Sequence, residues 1–320
     1  YVNPFMVDAA GHRDLKRDRF AEAKERGHFV CHADGKPLSV QNTTFSAHLL
    51  DLSNPECRDG LKDMIRENLI GVGSSGWMAD YAEALPFDAL LHSGQDAAEY
   101  HNQYPVEWAK VNREAIKEAG MEDEVLFFTR SGYHRSPGYT TCFWLGDQLT
   151  SWRQEDGIKS VVVGLLSSGL SGMSLNHADI GGYTSTHVLS VPVPGITYTR
   201  SQELLMRWTE MSAFTAIFRS HEGNVPEKNH QITDNPVTMK HFARFSRIYA
   251  ALGGYRRHLC EEAAIQGLPV VRHPWLHYPH DPQVIQLKLQ FLLGSDFMVA
   301  PALDPGVDYV QLYLPMGIWR

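Results

Sequence analysis

The chain has 320 residues and a formal net charge of −8, with 43% hydrophobic and 21% charged residues. This length suits one large α/β barrel or two smaller domains, and the composition is ordinary for a globular protein. The negative charge, with no basic run to offset it, argues against nucleic-acid binding. No stretch approaches the roughly 18 apolar residues of a membrane span, and the four scattered cysteines do not form a disulfide framework.

Both ends of the chain have the character of interrupted strands. It opens at Tyr1 with the apolar run "YVNPFMV" and closes on the alternating run "DYVQLYLPMGIWR". We therefore expect a piece of a longer protein. Because there is no start methionine, the N-terminus does not indicate the cellular compartment.

Short apolar runs alternate with amphipathic helical patterns along the chain. The predicted strands lie at 1–7, 76–80, 125–130, 142–147, 172–180 and 216–221, and the predicted helices at 15–27, 54–70, 95–119, 156–169, 199–215 and 237–258. This order is typical of parallel βαβ units. It predicts an α/β fold of the (β/α)8 TIM-barrel type, with about six of the eight barrel strands present.

Charged or polar residues follow five of these strands. They are Asp80, Arg130, Asp147, Asp179 and His221. In a (β/α)8 barrel the carboxyl ends of the strands converge on the face that carries the active site, whereas a doubly wound sheet uses only one or two crevice positions. The pattern predicts a catalytic barrel over 1–299. The turn "LDPGVD" and the alternating run after it predict the beginning of a C-terminal β-sandwich domain at 300–320.

Two of the strand-end residues are carboxylates flanked by aromatic side chains. Asp80 follows Trp77 in "WMAD", and Asp147 follows Trp144 in "FWLGD". Glycoside hydrolysis uses one ionised carboxylate and one that stays protonated, which a less polar aromatic pocket favours by raising its pKa. The two tryptophans are candidate substrate-binding residues. The competing interpretation is that both aspartates merely cap the helices that follow.

Longer motifs identify a resemblance that covers nearly the whole chain. "YVNPFM", "GWMADYAE", "HNQYPVEWAKVNREA", "FFTRSGYHRSP", "FWLGDQLTSW", "NHADIGGYT", "FRSHEG" and "QFLLGSDFMVAPALD" resemble, in this order, glycoside hydrolase family 31. The resemblance implies a retaining α-glycosidase with Asp80 as nucleophile and Asp147 as general acid/base. It also implies that Arg130 and His221 hold sugar hydroxyls and that Asp179 lies on the floor of the site.

Within that family the nucleophile motif "WMADYAE" is similar to the "WMADFGE" of sulfoquinovosidases, with Ala82 in place of the usual glycine. This subgroup cleaves α-sulfoquinovosides such as sulfoquinovosyl glycerol, and Tyr183 matches the tyrosine that helps bind the sulfonate. The partner residues for the sulfonate, an arginine and a tryptophan, lie in family members upstream of this chain. An α-glucosidase or α-xylosidase, and an inactive carbohydrate-binding homologue, are the alternatives.

The resemblance implies a covalent glycosyl–enzyme, formed between two carboxyl groups about 5–5.5 Å apart. Arg130 either keeps Asp80 ionised or forms a structural salt bridge. Glu83 either orients the nucleophile loop or is a solvated carboxylate in the first turn of a helix. We expect a small, anionic glycoside as substrate and no cofactor. We also expect no metal, because prolines interrupt the one histidine-rich run. Whether the protein forms a homo-oligomer stays open, and the resemblance favours a cytoplasmic protein.

Overall fold

The computed structural model describes residues 1–8, 17–42, 45–185 and 198–319. The chain forms two units, residues 1–142 and residues 143–320. These units differ from the barrel and C-terminal domains expected at 1–299 and 300–320, and the boundary between those domains stays a prediction.

The first unit contains two sheets with helices between their strands. Its elements are β1 (Phe5–Met6), α1 (Arg19–Glu25), β2 (Ser39–Gln41), β3 (Ser46–Leu49), α2 (Pro55–Asn68), β4 (Gly76–Ala79), α3 (Ala97–Tyr100), α4 (Tyr104–Glu118) and β5 (Leu126–Thr129). Strands β1, β3 and β2 form an antiparallel sheet that the sequence patterns did not predict. Strands β4 and β5 are parallel, and Val2 joins β4 through a parallel bridge to Ala79.

The second unit begins with a parallel pair and ends with an antiparallel sheet. Its elements are β6 (Cys142–Trp144), whose first residue is the last of the first unit, α5 (Ile158–Leu170), β7 (Asn176–His177), α6 (Gln202–Ser212), α7 (Pro236–Ala251), α8 (Gly253–Gln266), β8 (Val271–Arg272), β9 (Phe291–Leu293) and β10 (Phe297–Val299). Strands β6 and β7 are parallel, and Ile180 continues this direction in a parallel bridge to Ser220. The parallel pairs with intervening helices confirm the α/β class.

Two predicted helices are each divided in two. The helix expected at 95–119 is broken between α3 and α4, because Pro105 lies in the first turn of α4, where its missing N–H is tolerated. The helix expected at 237–258 is broken at Leu252, directly before two glycines that open α8. No helix in the described part of the chain is long and apolar enough to cross a bilayer.

Two predicted strands are wrong. Residues 216–221 form no strand beyond the single bridge at Ser220, and residues 309–315 pair with no strand among the described residues. Instead, the side chain of Gln290 exchanges two hydrogen bonds with the backbone of Tyr313, at 2.8 and 2.9 Å. Alternating hydrophobicity does not make a strand unless a neighbouring strand satisfies its backbone groups.

The register of β4 and β5 determines what lies at their tips. Trp77 and Ala79 are buried on one face, and the Trp77 indole donates a hydrogen bond to Asn112 on α4 at 2.9 Å. Side chains alternate along a strand, so the next residue, Asp80, extends from the opposite face. Because Ala79 pairs with Thr129, the register also places Arg130 beside Asp80.

We expect Asn54→Ala to lower the free energy of unfolding by about 1 kcal/mol, because Asn54 is the N-cap of α2. Its buried side-chain oxygen accepts hydrogen bonds from the backbone N–H groups of Glu56, at 2.9 Å, and Cys57, at 3.4 Å. Urea denaturation measures the change. Asn68→Ala, an exposed position at the end of the same helix, is the control; an equal loss in both variants would contradict the capping role.

Candidate active site

Asp80 lies at the tip of β4 beside two charged side chains of the same unit. Arg130 Nε lies 3.4 Å from Asp80 Oδ1, and the exposed fractions of the two side chains are 17% and 13%. The same guanidinium donates to Glu83 Oε1, with Nε at 3.1 Å. At this distance and degree of burial, the cation stabilises negative charge on Asp80. Arg130 thus holds two carboxylates at one strand end.

The backbone turns sharply immediately after Asp80. Tyr81 and Ala82 have φ angles of 61° and 86°, in the left-handed region that residues with a Cβ rarely adopt. Such strain costs about 1–3 kcal/mol per residue and persists only where the surroundings enforce it. The Tyr81 ring packs between Phe5, at 5.3 Å between centroids, and the Arg130 guanidinium, at 4.3 Å. The turn takes the backbone after Asp80 off the path of a regular strand.

The interpretation of Asp80 and Asp147 as helix caps is wrong. The next helix after Asp80 is α3, which Asp96 caps, and the next helix after Asp147 is α5, which begins after Gly157. No helix follows Glu83 directly, so it is not a first-turn carboxylate. Glu83 instead pairs with Arg130, next to Asp80.

Asp147 lies in the loop after β6 in the second unit, where it is exposed. Gly146 before it has a φ of 83°, a left-handed conformation that glycine adopts without steric cost. The hydroxyl of Thr184 donates to the backbone carbonyl of Asp147 at 3.0 Å. The backbone of this loop is therefore tied to the segment after β7.

Tyr183 and His221 come together in the second unit. Their rings contact edge to face, with 4.8 Å between centroids. The Tyr183 N–H donates to Gln148 O at 2.9 Å, and its carbonyl accepts from Asn224 N–H at 3.0 Å. His221 Nδ1 accepts from the Gly223 N–H at 3.0 Å, so in the neutral ring Nε2 carries the proton. This geometry presents an N–H donor beside a phenol.

Asp179 is buried in a polar cluster whose other members the sequence reasoning did not select. Arg219 Nη2 forms an ion pair with Asp179, and Arg219 Nε donates to His177 Nε2 at 3.0 Å. His177 Nδ1 in turn donates to Phe143 O at 3.0 Å. Their position in the sequence could have identified them, because His177 and Arg219 lie within the strand-end motifs "NHADIGG" and "FRSHEG".

The two tryptophans occupy different surroundings. Trp77 is buried in the core of the first unit, stacked on Phe127 at 6.3 Å and bonded to α4, so its indole packs the core and is not offered to a substrate. Trp144 is also buried, and its indole donates to Gly146 O at 2.8 Å. The Arg219 guanidinium lies 5.8 Å from its ring, which places Trp144 against the Asp179 cluster.

His177 and His221 of the second unit both have lowered pKa values. Burial, reinforced by the Arg219 cation, lowers the pKa of His177 to about 3, so its ring stays neutral and accepts from Arg219. Burial also lowers the pKa of His221, with Arg219 adding to the effect and Asp147 opposing it. Among the described residues no group of three histidine, cysteine or carboxylate side chains is arranged to hold a metal ion.

We expect the stability difference between the wild type and His177→Gln to depend on pH. The folded pKa is about 3 and the ordinary value is 6.5, so the unfolded wild type binds the extra proton between these values. This proton destabilises the wild-type fold as pH falls. Wild-type stability relative to the variant should fall by up to about 2 kcal/mol between pH 7.5 and pH 5.

Urea denaturation at the two pH values measures this change. His280→Gln, at an exposed loop position, serves as the control that removes a histidine without a buried partner. If the stability difference between His177→Gln and the wild type is the same at both pH values, His177 does not stay neutral in the fold.

Comparison with known domains agrees with this architecture. Residues 2–250 match the glycosyl hydrolases family 31 TIM-barrel domain, and residues 267–320 match the glycosyl hydrolase family 31 C-terminal domain. The order confirms the prediction of a TIM barrel followed by a C-terminal domain.

Three relatives share most of this chain. It is 40% identical to the Sulfoquinovosidase of Escherichia coli (strain K12) over 319 residues, 100% of this chain and 45% of that protein. It is also 40% identical to the Sulfoquinovosidase of Agrobacterium fabrum (strain C58 / ATCC 33970), over 100% of this chain and 46% of that protein. A solved structure of a GH31 family sulfoquinovosidase from E. rectale, in complex with the aza-sugar inhibitor IFGSQ, has a TM-score of 0.90 and 39% identity, covering 98% of this chain and 45% of that chain. This chain thus spans about half the length of these relatives, and it belongs to glycoside hydrolase family 31.

Proposed function

We propose that the full-length protein carrying this chain is a retaining α-glycosidase that hydrolyses α-sulfoquinovosides such as sulfoquinovosyl glycerol. The observation that carries the proposal is the 40% identity to two sulfoquinovosidases along the whole chain. The local chemistry supports it, because carboxylates follow β4 and β6 and the one after β4 lies beside the Arg130 cation.

Asp80 is the proposed nucleophile. A retaining glycosidase needs an ionised carboxylate to attack the anomeric carbon, and the Arg130 cation next to Asp80 supports that state. In the first step, an Asp80 oxygen forms a bond to C1 while the bond from C1 to the aglycone oxygen breaks. The product of this step is a covalent glycosyl–enzyme.

Asp147 is the proposed general acid/base. It gives its proton to the departing aglycone oxygen in the first step and removes a proton from water in the second, when water displaces Asp80 from C1. Two displacements at C1 give net retention of configuration. The exposure of Asp147 suits a group that must reach a leaving group and then a water molecule.

The sugar-binding roles are proposed for further polar side chains of the two units. The His221 Nε2–H is a proposed donor to a sugar hydroxyl, and the Tyr183 hydroxyl beside it is a proposed donor to the sulfonate. Arg130 and Asp179 are the remaining proposed hydroxyl contacts. Asp179 is held by Arg219, so its orientation does not depend on the substrate.

The full-length protein should prefer 4-nitrophenyl α-sulfoquinovoside over the corresponding α-glucoside by roughly 10-fold to 150-fold in kcat/KM. A site built for a sulfonate loses a charged hydrogen-bonded contact with glucose, which costs roughly 1.5–3 kcal/mol. Initial rates with both substrates measure the ratio. Equal or faster cleavage of the α-glucoside would assign the protein to the α-glucosidases of the family instead.

Asp147→Ala should reduce hydrolysis of sulfoquinovosyl glycerol by about 100-fold or more relative to its effect on the first step with the 4-nitrophenyl glycoside. Glycerol is a poor leaving group that needs protonation, whereas 4-nitrophenolate leaves without it. Pre-steady-state release of 4-nitrophenol measures the first step with the aryl substrate.

The control is Glu155→Ala, which removes an exposed carboxylate that follows β6 in the same connection to α5 and forms a salt bridge with its neighbour Arg153. It should hydrolyse both substrates like the wild type. Equal losses on the two substrates in Asp147→Ala would remove Asp147 from the acid role. Azide adds a second criterion: Asp147→Ala should yield the glycosyl azide of retained configuration, since azide replaces water as the second nucleophile.

A further inference from the structure

Arg200 is a buried cation whose partners are neutral. Arg200 is 2% exposed. Among the described residues, no carboxylate forms a salt bridge with its guanidinium. Its guanidinium donates instead to five oxygens: His230 O (2.9 Å), Gly182 O (3.4 Å), His221 O (2.6 Å), Glu222 O (3.2 Å) and Gln231 Oε1 (2.9 Å). Burying a charge is costly unless hydrogen bonds satisfy it fully, and here the hydrogen bonds come from three separate backbone segments.

Two of these segments carry the proposed sugar-binding side chains. Arg200 Nη1 donates both to the carbonyl of Gly182, directly before Tyr183, and to the carbonyl of His221 itself. A single guanidinium nitrogen therefore joins the backbones on which the two contacting rings are mounted. The ring contact at 4.8 Å depends on both backbones staying in place.

Arg200 packs closely against the backbone of Gly181. Gly181 has a φ of 92°, and a Cβ at that position would come within 2.4 Å of Arg200 Cδ. Asn229, itself buried, accepts from the Arg200 backbone N–H at 3.0 Å and from the Ser185 hydroxyl at 2.6 Å. These contacts fix the origin of the side chain as well as its tip.

We propose that Arg200 is a positioning residue that holds Tyr183 and His221 in the geometry that binds the sugar. The planar guanidinium is required, because its fixed fork reaches several carbonyls at once, whereas a lysine ammonium supplies the charge without that geometry. Arg200 does not touch the substrate; it acts through the Gly182 and His221 carbonyls. This inference rests on the proposed function, in which Tyr183 and His221 contact the sugar.

The test compares Arg200→Lys and Arg200→Met in the full-length protein. Both variants should raise the KM for 4-nitrophenyl α-sulfoquinovoside and the inhibition constant of free sulfoquinovose by about 10-fold or more, with kcat changed by less than about 3-fold. Contacts made equally in the ground state and the transition state affect binding rather than kcat. The inhibition constant reports ground-state binding without depending on any catalytic step.

Arg256→Lys is the matched control. Arg256 is also a buried arginine of the second unit, and it donates to a backbone carbonyl, Ala213 O, and packs 3.5 Å from the Tyr249 ring. It should lower the melting temperature as the Arg200 variants do but leave KM and the inhibition constant within about 2-fold of the wild type. This separates positioning from a general loss of stability.

Two outcomes would overturn the proposal. If Arg200→Lys binds sulfoquinovose like the wild type while Arg200→Met does not, the charge matters and the fork does not. If Arg256→Lys weakens binding as much as Arg200→Lys, the effect is one of stability alone. Should the Arg200 variants fail to fold, Gly181→Ala displaces the Arg200 side chain instead, because the added Cβ would meet Arg200 Cδ at 2.4 Å; binding unchanged from the wild type in that variant would also contradict the proposal.

The proposed function can fail independently of this inference. A wild-type protein that cleaves an α-glucoside in place of the α-sulfoquinovoside would overturn the sulfonate specificity. The Arg200 and Arg256 variants would then be compared on that α-glucoside, with free glucose as the inhibitor, and the same contrast between them would still support or contradict the positioning role.

Discussion

Across β4 and β5, Ala79 pairs with Thr129, so that the next residues along the two strands, Asp80 and Arg130, extend side by side. The arrangement at this end of the first unit depends on that register. A slip of one residue in either strand would send its terminal side chain to the opposite face and separate the ion pair. The buried contacts of Trp77 on the other face, with α4 and Phe127, oppose such a slip because they would be lost at the same time.

In the second unit, the buried charges of Asp179 and Arg200 are stabilised by ion pairs and hydrogen bonds from other segments of the chain. Asp179 has a direct counter-charge in Arg219, which is oriented in turn by the neutral ring of His177. Arg200 has hydrogen-bond acceptors from several segments but no salt bridge among the described residues. In a medium of low polarity an unsatisfied charge is expensive, so each of these groups constrains the backbone that supplies its partners. Polar groups that a core would otherwise exclude thereby become the means of positioning loops.

The two carboxylates of the proposed mechanism have unlike surroundings. Asp80 is partly buried beside a cation and precedes two residues in the left-handed conformation, whereas Asp147 is exposed on a loop tied through its backbone. Strained backbone persists only where neighbouring contacts enforce it, and here Arg130 and Phe5 pack on the Tyr81 ring. Different environments are how two chemically identical groups acquire different roles in glycoside hydrolysis.

The local order of residues was sufficient to predict the α/β class, the strands that became β4, β5 and β6, and the placement of Asp80, Arg130 and Asp147 at their ends. These features depend on periodicity and on short motifs, which are local. The division of the helices at Pro105 and Leu252 was missed because the apolar period continues across each break. The strand expected at 309–315 failed because a strand requires a partner that its own pattern does not specify.

Tertiary structure alone decided which groups each of these side chains contacts. Trp77 and Trp144 look alike in sequence, yet Trp77 packs on Phe127 and bonds to α4, whereas Trp144 lies beside Arg219 of the Asp179 cluster. No sequence pattern predicts the hydrogen bonds of Arg200, because its acceptors are mostly backbone carbonyls, which every residue possesses. By itself the sequence determined which chemical groups stand at the strand ends. Only the folded chain decided how they are held, because hydrogen bonds between distant segments depend on where the backbone carbonyls come to lie.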